Sequence, residues 1–144
     1  MSSTVEGDFA VRLRDAGLRV TRPRLLILDL LQSEPGHHSA DEIVALLDHR
    51  QSPLPRASVY NVLNALVDNG LISMVSVGPG STLYEYGARW HHHFVCKVCG
   101  DIQDVTCVIG RKPCMDPELV PGEVEEAQVT FRGTCSSCLA RQAV

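Results

Sequence analysis

Two Cys-x-x-Cys pairs, Cys96-Lys97-Val98-Cys99 and Cys135-Ser136-Ser137-Cys138, constrain this chain more than any other feature. A Cys-x-x-Cys turn aims two thiolates at one point, and two such turns complete a closed tetrahedral zinc site. Gly100 follows the first pair and suits the tight turn of a zinc knuckle. The rival readings are a redox dithiol and buried free cysteines. A closed four-thiolate site has no open coordination position, so it serves folding rather than catalysis.

The rest of the composition sets the frame for that site. In 144 residues, 44% hydrophobic and 21% charged, there is material for one domain or two small ones, and a disordered or fibrous chain is excluded. The longest apolar runs, such as Leu25 to Leu28, are too short to span a bilayer. Residues 1–8 are polar and acidic without an apolar h-region, so the expected compartment is the cytoplasm and no membrane contact is expected. There, metal sites are a better reading of six cysteines than disulfides.

The chain changes character near Gly87. Before it there is no cysteine and the apolar residues repeat with helical spacing; after it lie all six cysteines and three of the six histidines. A boundary at Gly87 to Trp90 therefore divides residues 1–87 from 88–144. The first part reads as helices over Phe9 to Ala16, from Thr21 to Pro35-Gly36, from Ser39 to Leu47 and from Pro55 to Asn69-Gly70. Ser39 and Glu42 have capping-box spacing. Val59, Val62, Leu63, Leu66 and Val67 form one stripe. Leu71 to Val77 and Thr82 to Tyr86, around Gly78-Pro79-Gly80, read as a strand–turn–strand. Helices followed by a hairpin suggest a winged helix-turn-helix, with a generic helical core as the alternative. The second part reads as short strands at His92 to Cys96, Ile102 to Val108 and Glu123 to Arg132. Gly110, Pro113, Pro117, Pro121 and Gly122 argue against a long helix between the last two.

A second metal site is suggested by His91-His92-His93. In a strand, His91 and His93 project to one side and His92 to the other. Glu85 and Asp104 offer carboxylates in the flanking strands, and His37-His38 can arrive from the first part. Nitrogen and oxygen donors favour Fe(II), Mn(II), Zn(II) or Ni(II) over a thiophilic ion. Cys107 and Cys114 stay open among a third metal pair, a peroxide-sensitive dithiol and ordinary buried thiols.

Net charge is −4, so nucleic-acid contact must come from local charge. Arg12, Arg14, Arg19, Arg22 and Arg24 cluster with only Asp15 opposing them, which suits phosphate contacts. Arg56, Ser58, Tyr60, Asn61 and Asn64 lie off the apolar stripe of the fourth helix, as in a major-groove helix. An ordinary solvated face is the alternative.

Three motifs together resemble the Fur (ferric uptake regulator) family of metal-dependent repressors over nearly the whole chain. They are Leu18-Arg19-Val20-Thr21-Arg22-Pro23-Arg24, Ser58-Val59-Tyr60-Asn61-Val62-Leu63, and His91-His92-His93-Phe94-Val95-Cys96-Lys97-Val98-Cys99-Gly100, closed by Cys135 to Cys138. The resemblance implies an α+β chain: an N-terminal winged-helix DNA-binding domain and a C-terminal zinc-containing α/β dimerisation domain, acting as a homodimer on palindromic operator DNA. Carried over by position, it implies His37, Glu85, His91, His93 and Asp104 as ligands of a regulatory Fe2+ or Mn2+, beside structural Zn2+ at Cys96, Cys99, Cys135 and Cys138. His37 is preferred to His38 by its place before Ser39-Ala40-Asp41. Arg19, Arg22, Arg24, Arg56, Ser58, Tyr60 and Asn61 are the expected DNA-binding residues. A further family site uses a histidine where this chain has Ala127.

Asp104-Val105-Thr106-Cys107 and Pro113-Cys114 look like the actinobacterial FurA/CatR branch, which implies a response to peroxide and iron beside catalase-peroxidase genes. Glu85 departs from the Asp of peroxide sensors of the PerR kind and matches the Glu common in iron sensors. The resulting expectation is a repressor in which a metal clasp across the two domains closes the dimer on DNA. The alternative is an iron-uptake repressor indifferent to peroxide. No small-molecule substrate is expected. A zinc deaminase is disfavoured, because Phe94 and Val95 follow His93 and neither cysteine pair follows a proline.

Overall fold

Leucine and isoleucine at helical spacing build the first of two units, which are Met1–Ala88 and Arg89–Val144 of the computed structural model. The described residues are 3–78, 81–87, 91–109, 113–115, 118, 120–125 and 127–143. Pro79 and Gly80 of the expected turn, residues 88–90 at the expected boundary, and Gly110 and Pro117 lie outside them.

The first unit runs α1 (Ser3–Asp15), α2 (Arg22–Ser33), β1 (His38–Ser39), α3 (Ala40–His49), α4 (Arg56–Asp68), β2 (Ile72–Gly78) and β3 (Ser81–Tyr86). Thr21 is the N-cap of α2, with a proline in the first turn. The expected capping box of α3 is made in both directions: Glu42 N–H donates to Ser39 Oγ at 3.1 Å, and Ser39 N–H donates to Glu42 Oε2 at 3.3 Å. Val59, Val62, Leu63 and Leu66 of α4 are buried and meet Ile27, Leu28 and Leu31 of α2 and Ile43 and Leu47 of α3 in one core. Each such side chain contributes about 1.5–3 kcal/mol by leaving water. β1, β3 and β2 form an antiparallel sheet in that order. Helices α3 and α4 with the β2–β3 hairpin make a winged helix-turn-helix.

Two features of this unit differ from the sequence expectation. Helix α1 begins at Ser3 rather than Phe9, because Val5 packs against the core and anchors the otherwise polar first turns. Strand β1, two residues long, was not expected; it pairs His38 with Tyr84 and Ser39 with Leu83.

The second unit holds β4 (His92–Cys96), β5 (Ile102–Val105), β6 (Thr130–Gly133) and α5 (Ser136–Gln142). β4 is central, antiparallel to β5 and parallel to β6. β5 stops at Val105 instead of Val108, and only the end of the expected Glu123 to Arg132 strand is paired. Helix α5 was not expected. Its N-cap is Cys135, so the helix grows directly out of the second cysteine pair. Among the described residues its buried cluster is Cys96, Cys135 and Cys138, with Phe94 against them. Gly133 sits under that ring, where a Cβ would come within 3.3 Å of Phe94.

No helix among the described residues is long and apolar enough to cross a membrane.

Candidate metal centres and recognition helix

The four cysteines of the paired motifs converge in the second unit. Cys96 ends β4, and the chain turns back through a knuckle in which Gly100 N–H donates to Cys96 O at 2.9 Å. Gly100 has φ +76°, a left-handed conformation that glycine adopts without steric cost. Cys135 and Cys138 enter from the start of α5. Cys96 Sγ lies 3.9 Å from Cys138 Sγ, and Cys99 Sγ 3.8 Å from Cys135 Sγ. Zinc–sulfur bonds of about 2.3 Å in a tetrahedron separate sulfurs by about 3.8 Å, so the observed spacing fits that ion. Cys135 N–H donates to Cys96 Sγ at 3.3 Å, and Arg141 Nη2 donates to Cys138 Sγ at 3.1 Å. Backbone N–H groups of Cys99 and Cys135 lower the Cys96 thiol to about 6. Burial, then the neighbouring Cys135, pushes Cys138 up to about 11.

The nitrogen and oxygen donors occur as two groups, one in each unit. In the first unit, the antiparallel register of β1 on β3, continued by one residue, sets His37 opposite Glu85. His37 Nε2 stands 3.0 Å from Glu85 Oε2, and both side chains are nearly buried. His38 turns elsewhere: its Nε2 is 2.8 Å from Glu34 O and its Nδ1 3.7 Å from Glu42 Oε2. In the second unit, β4 and β5 set His93 opposite Asp104. His91 Nε2 lies 3.1 Å from His93 Nε2 and 3.2 Å from Asp104 Oδ1, and His93 Nε2 is 3.7 Å from the same oxygen. Two imidazoles and one carboxylate therefore aim their donor atoms at one place, with His93 only 1% exposed. This is a donor set for a divalent ion of intermediate hardness. His92, on the opposite face, meets Cys114 and Val129 instead. The alternation of the strand placed His92 there, but nothing in the sequence signalled that Cys114 would reach it.

Helix α4 carries the other expected contacts. Its buried stripe leaves Arg56, Ser58, Tyr60 and Asn61 on the outer side. Ser58, Asn61 and Val62 line a shallow groove with Arg19, Thr21, Pro23 and Arg24, so part of the basic segment and the helix share one surface. Arg24 Nη1 donates to Arg19 O at 2.7 Å, which ties the basic segment to the start of α2. Arg22 lines a separate recess with Glu6. Arg56 lies over the Tyr60 ring, 5.7 Å from its centroid, and its Nη2 is 2.7 Å from Asp41 Oδ1 of α3. Asp41 was not foreseen. It occupies the first turn of the preceding helix, where a carboxylate also answers the helix dipole. Arg12, counted in the basic cluster, is turned to Tyr86, donating to its hydroxyl and lying over its ring.

The model of the ferric uptake regulator family matches residues 15–110. The chain is 36% identical over 135 residues to the transcriptional regulator FurA of Mycobacterium tuberculosis, covering 91% of this chain and 90% of that protein. Among solved structures, the ferric uptake regulator of Pseudomonas aeruginosa with manganese superposes with a TM-score of 0.69 at 27% identity, covering 89% of this chain and 98% of that one. The ferric uptake regulator of Francisella tularensis with iron gives 0.65 at 25% identity, over 85% and 96% of the two chains.

Proposed function

This chain belongs to the ferric uptake regulator family of metal-dependent transcriptional regulators, not enzymes, and from that premise we propose that it is a homodimeric repressor whose hold on operator DNA depends on one ion shared by its two units. Residues 1–87 are the DNA-binding domain and 88–144 the dimerisation domain in this reading, and the DNA target sets its place of action in the cytoplasm. Cys96, Cys99, Cys135 and Cys138 hold a structural Zn2+. His37 and Glu85 from the first domain, and His91, His93 and Asp104 from the second, hold the regulatory ion. The observation that supports this most is that each half of the donor set is already drawn together within its own unit: His37 with Glu85, and His91 with His93 and Asp104. Fe2+ or Mn2+ suits five such donors, and the similar proteins with iron and with manganese favour the same pair.

With the ion bound, a charge shared by ligands on both domains favours one arrangement of the two recognition helices, matched to successive major-groove half-sites. Arg19, Arg22 and Arg24 answer phosphates, while Arg56, Ser58, Tyr60 and Asn61 face base edges. The regulated genes in this reading include catalase or other oxidative-stress functions, and the signal is peroxide, iron or both. Bound Fe2+ would supply the one-electron chemistry by which peroxide oxidises a neighbouring imidazole, His37 or His91. A second reading, an iron-uptake repressor indifferent to peroxide, is favoured by Glu85, whose carboxylate takes the place of the shorter Asp.

The test uses full-length protein and an operator duplex selected by that protein from a random library. His91→Ala is expected to abolish ion-dependent binding while zinc content stays at one per chain. Unchanged operator binding by this variant would sink the shared-ion reading. A peroxide pulse on anaerobic Fe2+-loaded protein separates the two signals. One added oxygen on His37 or His91, with loss of DNA binding, supports peroxide sensing. Intact histidines and retained binding support the iron-only reading.

A further inference from the structure

Cys107 and Cys114, separated by six residues of chain, meet at the imidazole that the regulatory donor set leaves out. His92, Cys107 and Cys114 each bring one donor atom, all within 4.8 Å of one another. His92 Nε2 is 3.3 Å from Cys114 Sγ, and the Cys114 thiol hydrogen-bonds to Cys107. Both residues are partly exposed, with the Cys107 side chain the more deeply placed of the two.

Three such side chains suit either an ion or a redox pair, and the histidine tautomer separates the two. Val129 N–H donates to His92 Nδ1 at 3.2 Å. A neutral imidazole carries one ring proton, so an accepting Nδ1 leaves that proton on Nε2, pointed at Cys114. Histidines that bind metal do the reverse: they donate from the far ring nitrogen and offer a lone pair to the ion. A metal at His92 Nε2 would require that proton to move to Nδ1, where it would displace the hydrogen bond from Val129. A thiol pair needs no such change.

We propose that Cys107 and Cys114 are a reversible dithiol–disulfide couple oxidised by hydrogen peroxide, with His92 as its positioning residue. The Cys107 thiolate attacks one peroxide oxygen; the O–O bond breaks, Cys107 becomes a sulfenic acid, and the hydroxide that leaves takes up the proton Cys107 had released. Cys114 then attacks the Cys107 sulfur, the S–S bond forms, and the sulfenic oxygen departs with the Cys114 proton as the second water. Two thiols and one peroxide give one disulfide and two waters. Burial, and then Cys107, hold the Cys114 thiol up, which suits the second, resolving step. His92 Nε2–H fixes Cys114 beside Cys107, so the sulfur that must close the bond is already in range. The couple lies behind β4, on the face away from His91 and His93, and is independent of which ion the regulatory site takes. Thiols reverse it, unlike oxidation of a histidine.

The test uses full-length zinc-loaded protein free of iron and manganese, treated with one equivalent of hydrogen peroxide. Free thiols are then alkylated and the peptides mapped by mass, with and without dithiothreitol. The expected result is a loss of two hydrogens linking the Cys107 and Cys114 peptides, restored by dithiothreitol, with zinc retained. His92→Phe should slow disulfide formation about tenfold, the factor that corresponds to about 1.4 kcal/mol, near the worth of one hydrogen bond. His92→Gln keeps an N–H donor and should stay within about threefold of the wild type. Equal slowing by both variants would overturn the positioning role. Two cysteines that remain alkylatable after peroxide would overturn the couple itself. So would cysteines blocked before any oxidant and released by a chelator, which would reveal a third metal site, or oxidation confined to Cys96, Cys99, Cys135 and Cys138.

Discussion

His37 and His38 are adjacent and chemically identical, yet the structure gives them separate work. The two-residue strand β1 turns His37 toward Glu85 and His38 toward Glu34 and Glu42 at the start of α3. His37→Ala is therefore expected to abolish ion-dependent operator binding, whereas His38→Ala should change it less than about threefold, the effect of one local hydrogen bond. Titrating both variants with Mn2+ and reading DNA binding by fluorescence anisotropy checks this; equal losses would contradict it. From the sequence, both histidines were candidates, and only the resemblance chose between them. The physical reason lies in a pairing 46 residues away, His38 on Tyr84, which no local pattern reports.

At the scale of elements, the sequence was most readable where stability is local. The capping box at Ser39 and Glu42 and the α4 stripe are written in residues three and four apart; the box appears as expected, and the stripe is buried at Val59, Val62, Leu63 and Leu66 with Val67 only partly buried. Ser39→Ala removes the cap and should cost about 1 kcal/mol, seen as a lower urea midpoint with an unchanged slope. What escaped the sequence depends on distant partners. Helix α5 has seven residues, too few to show a period or to stand alone in water, and it is held by the cysteine pair at its start. The early turns of α1 look polar, and only Val5 betrays their packing. The same logic predicts how the units respond to chelation. The first unit has a hydrocarbon core, whereas among the described residues the buried cluster of the second is built on Cys96, Cys135 and Cys138 with Phe94 against them. A strong zinc chelator should thus remove the α5 and β4–β6 signals while the helical circular dichroism of the first unit persists. Loss of both together would show that the units fold as one.

At the scale of the molecule, a chain of net charge −4 approaches a polyanion through one basic surface. With Arg19, Arg22 and Arg24 of each protomer in a dimer neutralising phosphates, six counterions leave on binding, and log K should fall against log salt with a slope of about −5. Replacing Arg19 and Arg24 with Gln in both protomers should flatten that slope by about 4. Salt titration of operator binding measures both; a slope near zero would place the DNA contact elsewhere. The central strand β4 has a further meaning for the history of such a molecule. His93, with His91 just before the strand, lies to one side, His92 lies to the other, and Cys96 ends the strand. Because neighbouring side chains point apart, a substitution at 92 can alter one face without disturbing the other. Deleting a single residue would instead exchange the faces and shift Cys96 at the same stroke. Position 92 can therefore change by replacement while the strand stays closed to insertion or deletion, so new chemistry can arise behind β4 with the six-residue length from His91 to Cys96 held fixed.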